Sequence, residues 1–160
     1  GPAEPMARAD ESGDRVITTN RRAFHDYFID ETVEAGVVLT GTEIKSVRAG
    51  KVTLTDGFAR VREGEAWLEN VYVAPYEQAR ENPDPRRRRK LLLRRGQIAT
   101  LGAKTQQKGL TLVPLKVYLK RGMAKVELGL ARGKHTYDKR HALAEREAKR
   151  DIERALRVRD

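Results

Sequence analysis

The sequence predicts a mainly β protein with short helices, folded as a small antiparallel barrel. Three observations lead there. Several short runs alternate apolar and polar residues, residues 110 to 131 read as two strands around one tight turn, and the stretches of helical spacing between strands are brief. A chain of 160 residues suits one such domain with some length left for tails.

Taken in order, residues 1–15 are polar without an apolar period and are expected to be disordered. Gly1-Pro2 ahead of Met6 reads as an expression scar, so residues 1–5 carry no functional reading. Asn20 can cap a short helix beginning at Arg21, with Arg21, Arg22, His25 and Asp26 outside and Phe24, Tyr27 and Phe28 as its apolar side. Val33, Ala35, Val37 and Leu39 then alternate as a strand, with Glu34 and Gly36 on its other face. Thr42 to Arg48 reads as a helix stopped by Gly50, Ile44 and Val47 turning inward and Lys45 and Arg48 outward.

Strand-like runs follow over Phe58–Arg62 and Ala66–Val73, joined by the turn Glu63-Gly64-Glu65. Asn82-Pro83-Asp84-Pro85 marks Glu77 to Arg89 as a loop. Leu91, Leu92 and Leu93 after it read as core anchors. Gln97 to Lys108 has helical spacing and ends at Gly109. In the final hairpin, Leu110–Leu119 and Ala124–Ala131, Leu115, Val117 and Leu119 face one way. Lys116, Tyr118 and Lys120 face the other, and Pro114 marks an edge or a bulge. From Asp138 onward both charges are dense and only Ala144, Ala148, Ile152 and Leu156 form an apolar stripe, too thin to dock on a core.

Composition narrows the partners. The chain has 33 Lys+Arg against 23 Asp+Glu, a formal charge of +10, which favours a polyanion. There is no cysteine, which excludes disulfides and thiolate sites and fits a reducing cytoplasm. No apolar stretch approaches the roughly 20 residues of a membrane span, so no membrane partner is expected. His25, His135 and His141 are too scattered for a metal site; no metal, cofactor or enzymatic activity is expected, since no phosphate-cradling loop, serine elbow or metalloprotease signature occurs.

The densest charge, Arg86 to Lys90, is either a phosphate-binding run or a solvated loop. Lys116, Tyr118 and Lys120 form a cationic–aromatic–cationic face of the kind that binds RNA, though a strand tyrosine more often packs. Glu34 is either a surface residue or an acid that braces a cation or accepts from RNA.

Several motifs together resemble the SmpB family of SsrA-binding proteins. They are Asn20 to Ile29, Glu34-Ala35-Gly36, Gly41 to Lys51, Asp84-Pro85 leading to Arg89–Leu93, Gly109 to Ala131, and Gly133-Lys134 followed by Tyr137-Asp138-Lys139-Arg140. Tyr137 stands where some members carry histidine and Arg94 where some carry asparagine. The resemblance implies a six-stranded antiparallel barrel related to the OB-fold, with three helices, over residues 16–132, and a flexible basic tail over 133–160 that becomes helical on the ribosome. It implies binding to the tRNA-like domain of transfer-messenger RNA, and delivery of that RNA to stalled ribosomes for trans-translation.

On this reading Asn20, Arg21, Arg22, His25, Tyr27, Glu34, Lys45, Arg48, Lys51, Arg89, Lys90, Leu92 and Lys125 are the candidate RNA-binding residues. Gly133, Lys134, Tyr137, Asp138, Lys139 and Arg140 are candidates for contact with the small-subunit decoding centre and the messenger path. The alternatives are a generic OB-type binder of single-stranded RNA, a ribosome-associated factor, or an RNA-processing nuclease.

Overall fold

In a computed structural model of the chain, residues 14–107 and 109–134 are described, together with 146, 149, 150, 152 and 154. The chain runs β1 (Arg15–Thr19), α1 (Arg21–Asp26), β2 (Tyr27–Val37), α2 (Gly41–Arg48), β3 (Val52–Thr53), β4 (Phe58–Arg62), β5 (Glu65–Glu69), β6 (Tyr72–Val73), β7 (Arg89–Leu92), α3 (Arg95–Thr105), β8 (Leu110–Lys120) and β9 (Met123–Gly133). Among the described residues up to Gly133 it is mainly β, with three helices. All pairings are antiparallel. The order β8-β4-β5-β7-β2-β9 returns to β8, so six strands form a closed ring, and β1 adds to β8 outside it. The long strands β2, β8 and β9 make one continuous side. On the far side β4 pairs with β8 at Ala59 and Leu112.

Inside the ring, alternate residues of each strand make the core. Val126 and Leu128 are fully buried, and Leu112, Leu91, Leu68 and Ala35 nearly so. Two hairpins turn tightly at Glu63-Gly64 and Arg121-Gly122, where both central residues have positive φ (53° and 77°; 53° and 78°). These are the primed turns whose twist suits adjoining strands, and glycine at the second position relieves the steric cost.

Besides Val52–Thr53, which form β3 without having been read as a strand, and Leu39, which falls past the end of β2, four features depart from the sequence reading. The helix at Arg21 stops at Asp26, and Tyr27 and Phe28 open β2 instead of lining the helix. Tyr27-Phe28-Ile29 pair with Gly133-Arg132-Ala131, so the ladder outweighs local helical spacing. Val16–Thr19, given no element by the sequence, lie in β1. The run from Ala66 to Val73 is two strands, broken where Asn70 takes φ 56°.

The fourth concerns β8. Its register shifts between Pro114 and Lys116, the bulge that proline signalled. Leu115 therefore joins Val113 and Ala131 in a second cluster under α1, while Val117 returns to the main core with Leu112. The expected alignment of Leu115 with Val117 fails because the bulge changes the parity of the strand. Of the ends read as disordered or flexible, Asp14 is buried, Arg15 is part of β1, Gly133 closes β9, and residues 134, 146, 149, 150, 152 and 154 are helical; the rest of both ends lies outside the described residues.

Candidate nucleic-acid interface

The outer face of β7-β2-β9-β8 gathers candidates far apart in sequence. Gly36 pairs with Leu92 on one side and Lys125 on the other, and Lys125 pairs in turn with Tyr118. A Cβ at Gly36 would stand 3.3 Å from Leu92 Cβ and 3.7 Å from Lys125 Nζ, so these two side chains meet over a position without a side chain. Glu34 lies two residues back along β2, on the same face. Leu92 is 51 % exposed, which makes it a surface apolar residue; only Leu91 and Leu93 of the leucine run pack on the core. Strand alternation puts Leu92 outside once Leu91 is in.

Glu34 braces this face. It accepts a hydrogen bond from the Tyr118 hydroxyl, and Lys120 Nζ lies 3.5 Å from its Oε2. The hydroxyl's hydrogen bond holds the Glu34 carboxyl below its ordinary pKa, partial burial opposes this, and Lys120 and Lys125 add to the lowering. Tyr118 shares its face with Lys116 and Lys120 as expected, but it is no stacking platform. Its ring is 4 % exposed and Lys116 Nζ stands 5.3 Å over it. Burial, then the bond to Glu34, raises the phenol's pKa, so it stays a donor.

The arginine run divides into inner and outer members. Arg89 is 1 % exposed, and its guanidinium donates to Glu43 at 2.7 Å, to the Val71 carbonyl at 2.7 Å and to the Pro85 carbonyl at 3.0 Å. All its reach is spent inside the protein. Arg87 also binds Glu43, its Nε donating at 3.1 Å. Arg86 and Arg88 stay on the surface, over the rings of Tyr72 and Trp67 at 5.4 Å and 4.1 Å. Lys90 is exposed and pairs with Glu65 at 3.3 Å.

Glu43 itself was missed in the sequence. Thr40-x-x-Glu43 is a capping box: Thr40 Oγ1 accepts from Glu43 N at 3.2 Å and Glu43 Oε1 accepts from Thr40 N at 2.9 Å. The sequence reading began the helix at Thr42 from its apolar spacing and did not use this box, and nothing local marked the carboxylate as the anchor of a loop more than forty residues on. Burial pushes the Glu43 carboxyl up, yet donors from Arg87, Thr40 and Arg89 outweigh it and leave its pKa lowered. For Arg89 the balance differs, since burial costs the cation more than Glu43 returns, and its pKa is lowered.

The remaining candidates lie elsewhere. Lys45 and Arg48 are exposed on α2, with Lys45 Nζ 5.0 Å over Tyr76 and Arg48 reaching toward Gly122 in the β8–β9 turn. Lys51 follows, exposed, just past Gly50. Asn20 is buried: its side chain accepts from Ala23 N at 3.2 Å and donates to the Pro114 carbonyl at 2.9 Å, fastening α1 to the β8 bulge.

Arg21, Arg22 and His25 are exposed on α1, Arg22 and His25 both turned to Asp26. Tyr27 packs on the second core cluster opposite Gly133. Lys134 donates to the Phe24 carbonyl at 3.2 Å and sits 5.2 Å from the ring of the exposed Phe28. This group lies about 23 Å along β2 from Glu34, taking 3.3 Å per strand residue. The RNA candidates thus do not form one group: the Glu34 face and the α1 end of β2 lie apart, and Lys45, Arg48 and Lys51 stand on and just after α2. Tyr137, Asp138, Lys139 and Arg140 fall outside the described residues.

Comparison with known proteins adds a family. Residues 17–158 match the family model described as SmpB protein. The SsrA-binding protein of Bacillus cytotoxicus is 62 % identical over 146 residues, covering 91 % of this chain and 94 % of that protein. That of Desulfitobacterium hafniense is 60 % identical over the same length, with the same coverage. Thermobifida fusca has an SsrA-binding protein 60 % identical over 148 residues, 92 % of each chain. A chain in a solved structure described as "tmRNA-SmpB: a journey to the center of the bacterial ribosome" is similar in fold, with a TM-score of 0.64 and 61 % identity over 73 % of this chain and 83 % of that one.

Proposed function

The chain belongs to the SmpB protein family, and from that premise we propose that it binds transfer-messenger RNA and carries it to stalled ribosomes for trans-translation. Its part is recognition, not catalysis. The RNA is held by shape, phosphate contacts and a few directed hydrogen bonds. The observation that carries the reading is the convergence of Glu34, Leu92 and Lys125, from three strands, on one face beside Lys120. A lysine offers charge to phosphate, a leucine offers an apolar surface to a sugar or base, and a carboxylate accepts from N–H or O–H donors that no phosphate possesses.

In this reading the closed ring is an OB-like barrel, residues 16–132 form the RNA-binding body, and residues 133–160 form the tail that enters the messenger path. Arg21, Arg22, His25 and Lys134, where the tail departs, make a second contact region. Asn20, Tyr27 and Arg89 act from within: they hold α1, β2 and the 85–89 turn in place. Lys90 supplies positive charge from β7, and Lys45, Arg48 and Lys51 supply it from α2 and the turn after it, apart from the Glu34 face.

The test is to sequence the RNA that co-purifies with the tagged protein from its native cell. Transfer-messenger RNA should dominate. A spread of unstructured RNAs would overturn the reading in favour of a general single-strand binder.

A further inference from the structure

We infer that Tyr118 is a positioning residue for RNA binding: its buried hydroxyl holds the Glu34 carboxylate as an acceptor aimed at the bound RNA. The inference rests on the proposed RNA-binding role of the Glu34 face and names the group that aims it.

The geometry is that of a support reaching across a strand. Tyr118 stands on β8 and Glu34 on β2, with β9 between them. Two strand spacings, about 9.6 Å, and a two-residue offset in register separate the backbones, and the long side chains of tyrosine and glutamate together close that gap. Lys116 and the strands keep the ring out of water, at 4 % exposure, while the carboxylate it grips remains 39 % exposed. One end of the contact is fixed in the sheet and the other is open to a ligand.

The contact also has a fixed polarity. The phenol remains protonated, so it can only donate to Glu34 here, and one carboxylate oxygen is committed to Tyr118 and Lys120. Glu34 Oε1 keeps its acceptor capacity on the side away from that grip. A glutamate on a strand, left to itself, samples many rotamers; one hydrogen bond from a rigid ring removes most of that freedom before RNA arrives. Lys120 and Lys125, also beside the carboxylate, are flexible cations and cannot aim it in the same way.

Tyr118→Phe removes the hydroxyl and keeps the buried ring. Binding of the purified full-length variant to the tRNA-like domain of transfer-messenger RNA should weaken about 3- to 10-fold, with the slope of log affinity against log salt unchanged, because no cation is lost. The Glu34 carboxylate, followed by carbon-13 NMR, should titrate at higher pH than in the wild type. The variant Glu34→Ala/Tyr118→Phe should bind no more weakly than Glu34→Ala, since the hydroxyl acts only through that carboxylate. Matching thermal unfolding of the single variants sets a folding defect apart.

Wild-type affinity in Tyr118→Phe alongside a weakened Glu34→Ala would overturn the positioning role and leave the RNA face standing. Additive losses in the double variant would do the same. Wild-type affinity in Glu34→Ala would overturn the role of that face, and the inference with it.

Discussion

Arg89 Nε donates to Glu43 Oε2 at 2.7 Å, and the two side chains are only 1 % and 3 % exposed. The pair joins the first turn of α2 to the start of β7, and Arg87 adds a second guanidinium to the same carboxylate. Taking one partner away leaves the other charged and buried. Glu43→Ala and Arg89→Ala should each destabilise the protein by about 3–5 kcal/mol, read from urea denaturation. Replacing both residues by well-packed apolar ones should cost far less.

The same pair sets an acid limit. The folded-state pKa of Glu43 is lowered, so its contribution is complete above the ordinary value of 4.5 and is lost as pH falls through the depressed folded value. Unfolding free energy should therefore drop progressively below about pH 4.5. A variant with Glu43 and Arg89 both made apolar should show a shallower acid slope. Urea titrations at several pH values check this; equal slopes would contradict it.

Salt dependence should separate the members of the arginine run. Arg86→Ala/Arg88→Ala removes two surface cations that stand over Tyr72 and Trp67. The fold should survive and, if these cations meet RNA phosphates, the slope of log affinity against log salt should become shallower by roughly one to two units. Arg89→Ala should show itself first as lost stability. An unchanged slope in the double variant would make Arg86 and Arg88 solvated surface residues.

Gly36→Ala should act on binding more than on stability. The new methyl would stand 3.3 Å from Leu92 Cβ and 3.7 Å from Lys125 Nζ, both on a surface where side chains can yield. The melting temperature should change little, while affinity for the tRNA-like RNA falls as Leu92 and Lys125 are pushed apart. By contrast, Gly57→Ala puts a methyl 2.4 Å from Val71 Cγ2 in the core and should destabilise by about 1–3 kcal/mol.

Truncation after Tyr137 should spare affinity for the tRNA-like RNA and abolish rescue of stalled ribosomes. Filter binding and an in vitro peptide-tagging assay read the two effects separately. A truncated protein that still tags stalled peptides would remove the tail from the proposed mechanism.

Legibility in the sequence followed the range of the forces involved. The helix read at Thr42–Arg48 and the final hairpin were plain, because inward Ile44 and Val47, a stop at Gly50 and a glycine turn are local signals. Tyr27 and Phe28 were read as part of the helix and the strand was begun only at Val33, because the aromatic and β-branched residues of Tyr27 to Thr32 choose a strand only when Gly133 to Gly129 lie alongside. Val16–Thr19 is too short to show a period and exists as a strand through Tyr118 and its neighbours. Arg89 looked like surface charge, since its anchoring carboxylate lies 46 residues away. For the candidate interface, alternation placed Glu34 opposite Val33 and Ala35. That Leu92 and Lys125 meet over Gly36 follows from strand order, which periodicity does not encode.

Ring closure has a consequence for how the chain reaches its fold. β2 pairs with β9, and Tyr27 meets Gly133 only about a hundred residues later. During synthesis at about 5–20 residues per second, β2 waits roughly 5–20 s for its main partner. Its other neighbour, β7, offers only a short pairing at Gly36 and Val37. The α2 helix and the β4–β5 hairpin can form early from local contacts, whereas the long side must assemble last, against the entropy of closing a large loop. Substitutions that slow folding should therefore cluster where β2, β8 and β9 meet, and the nascent chain is most exposed to misassembly just before β9 is complete.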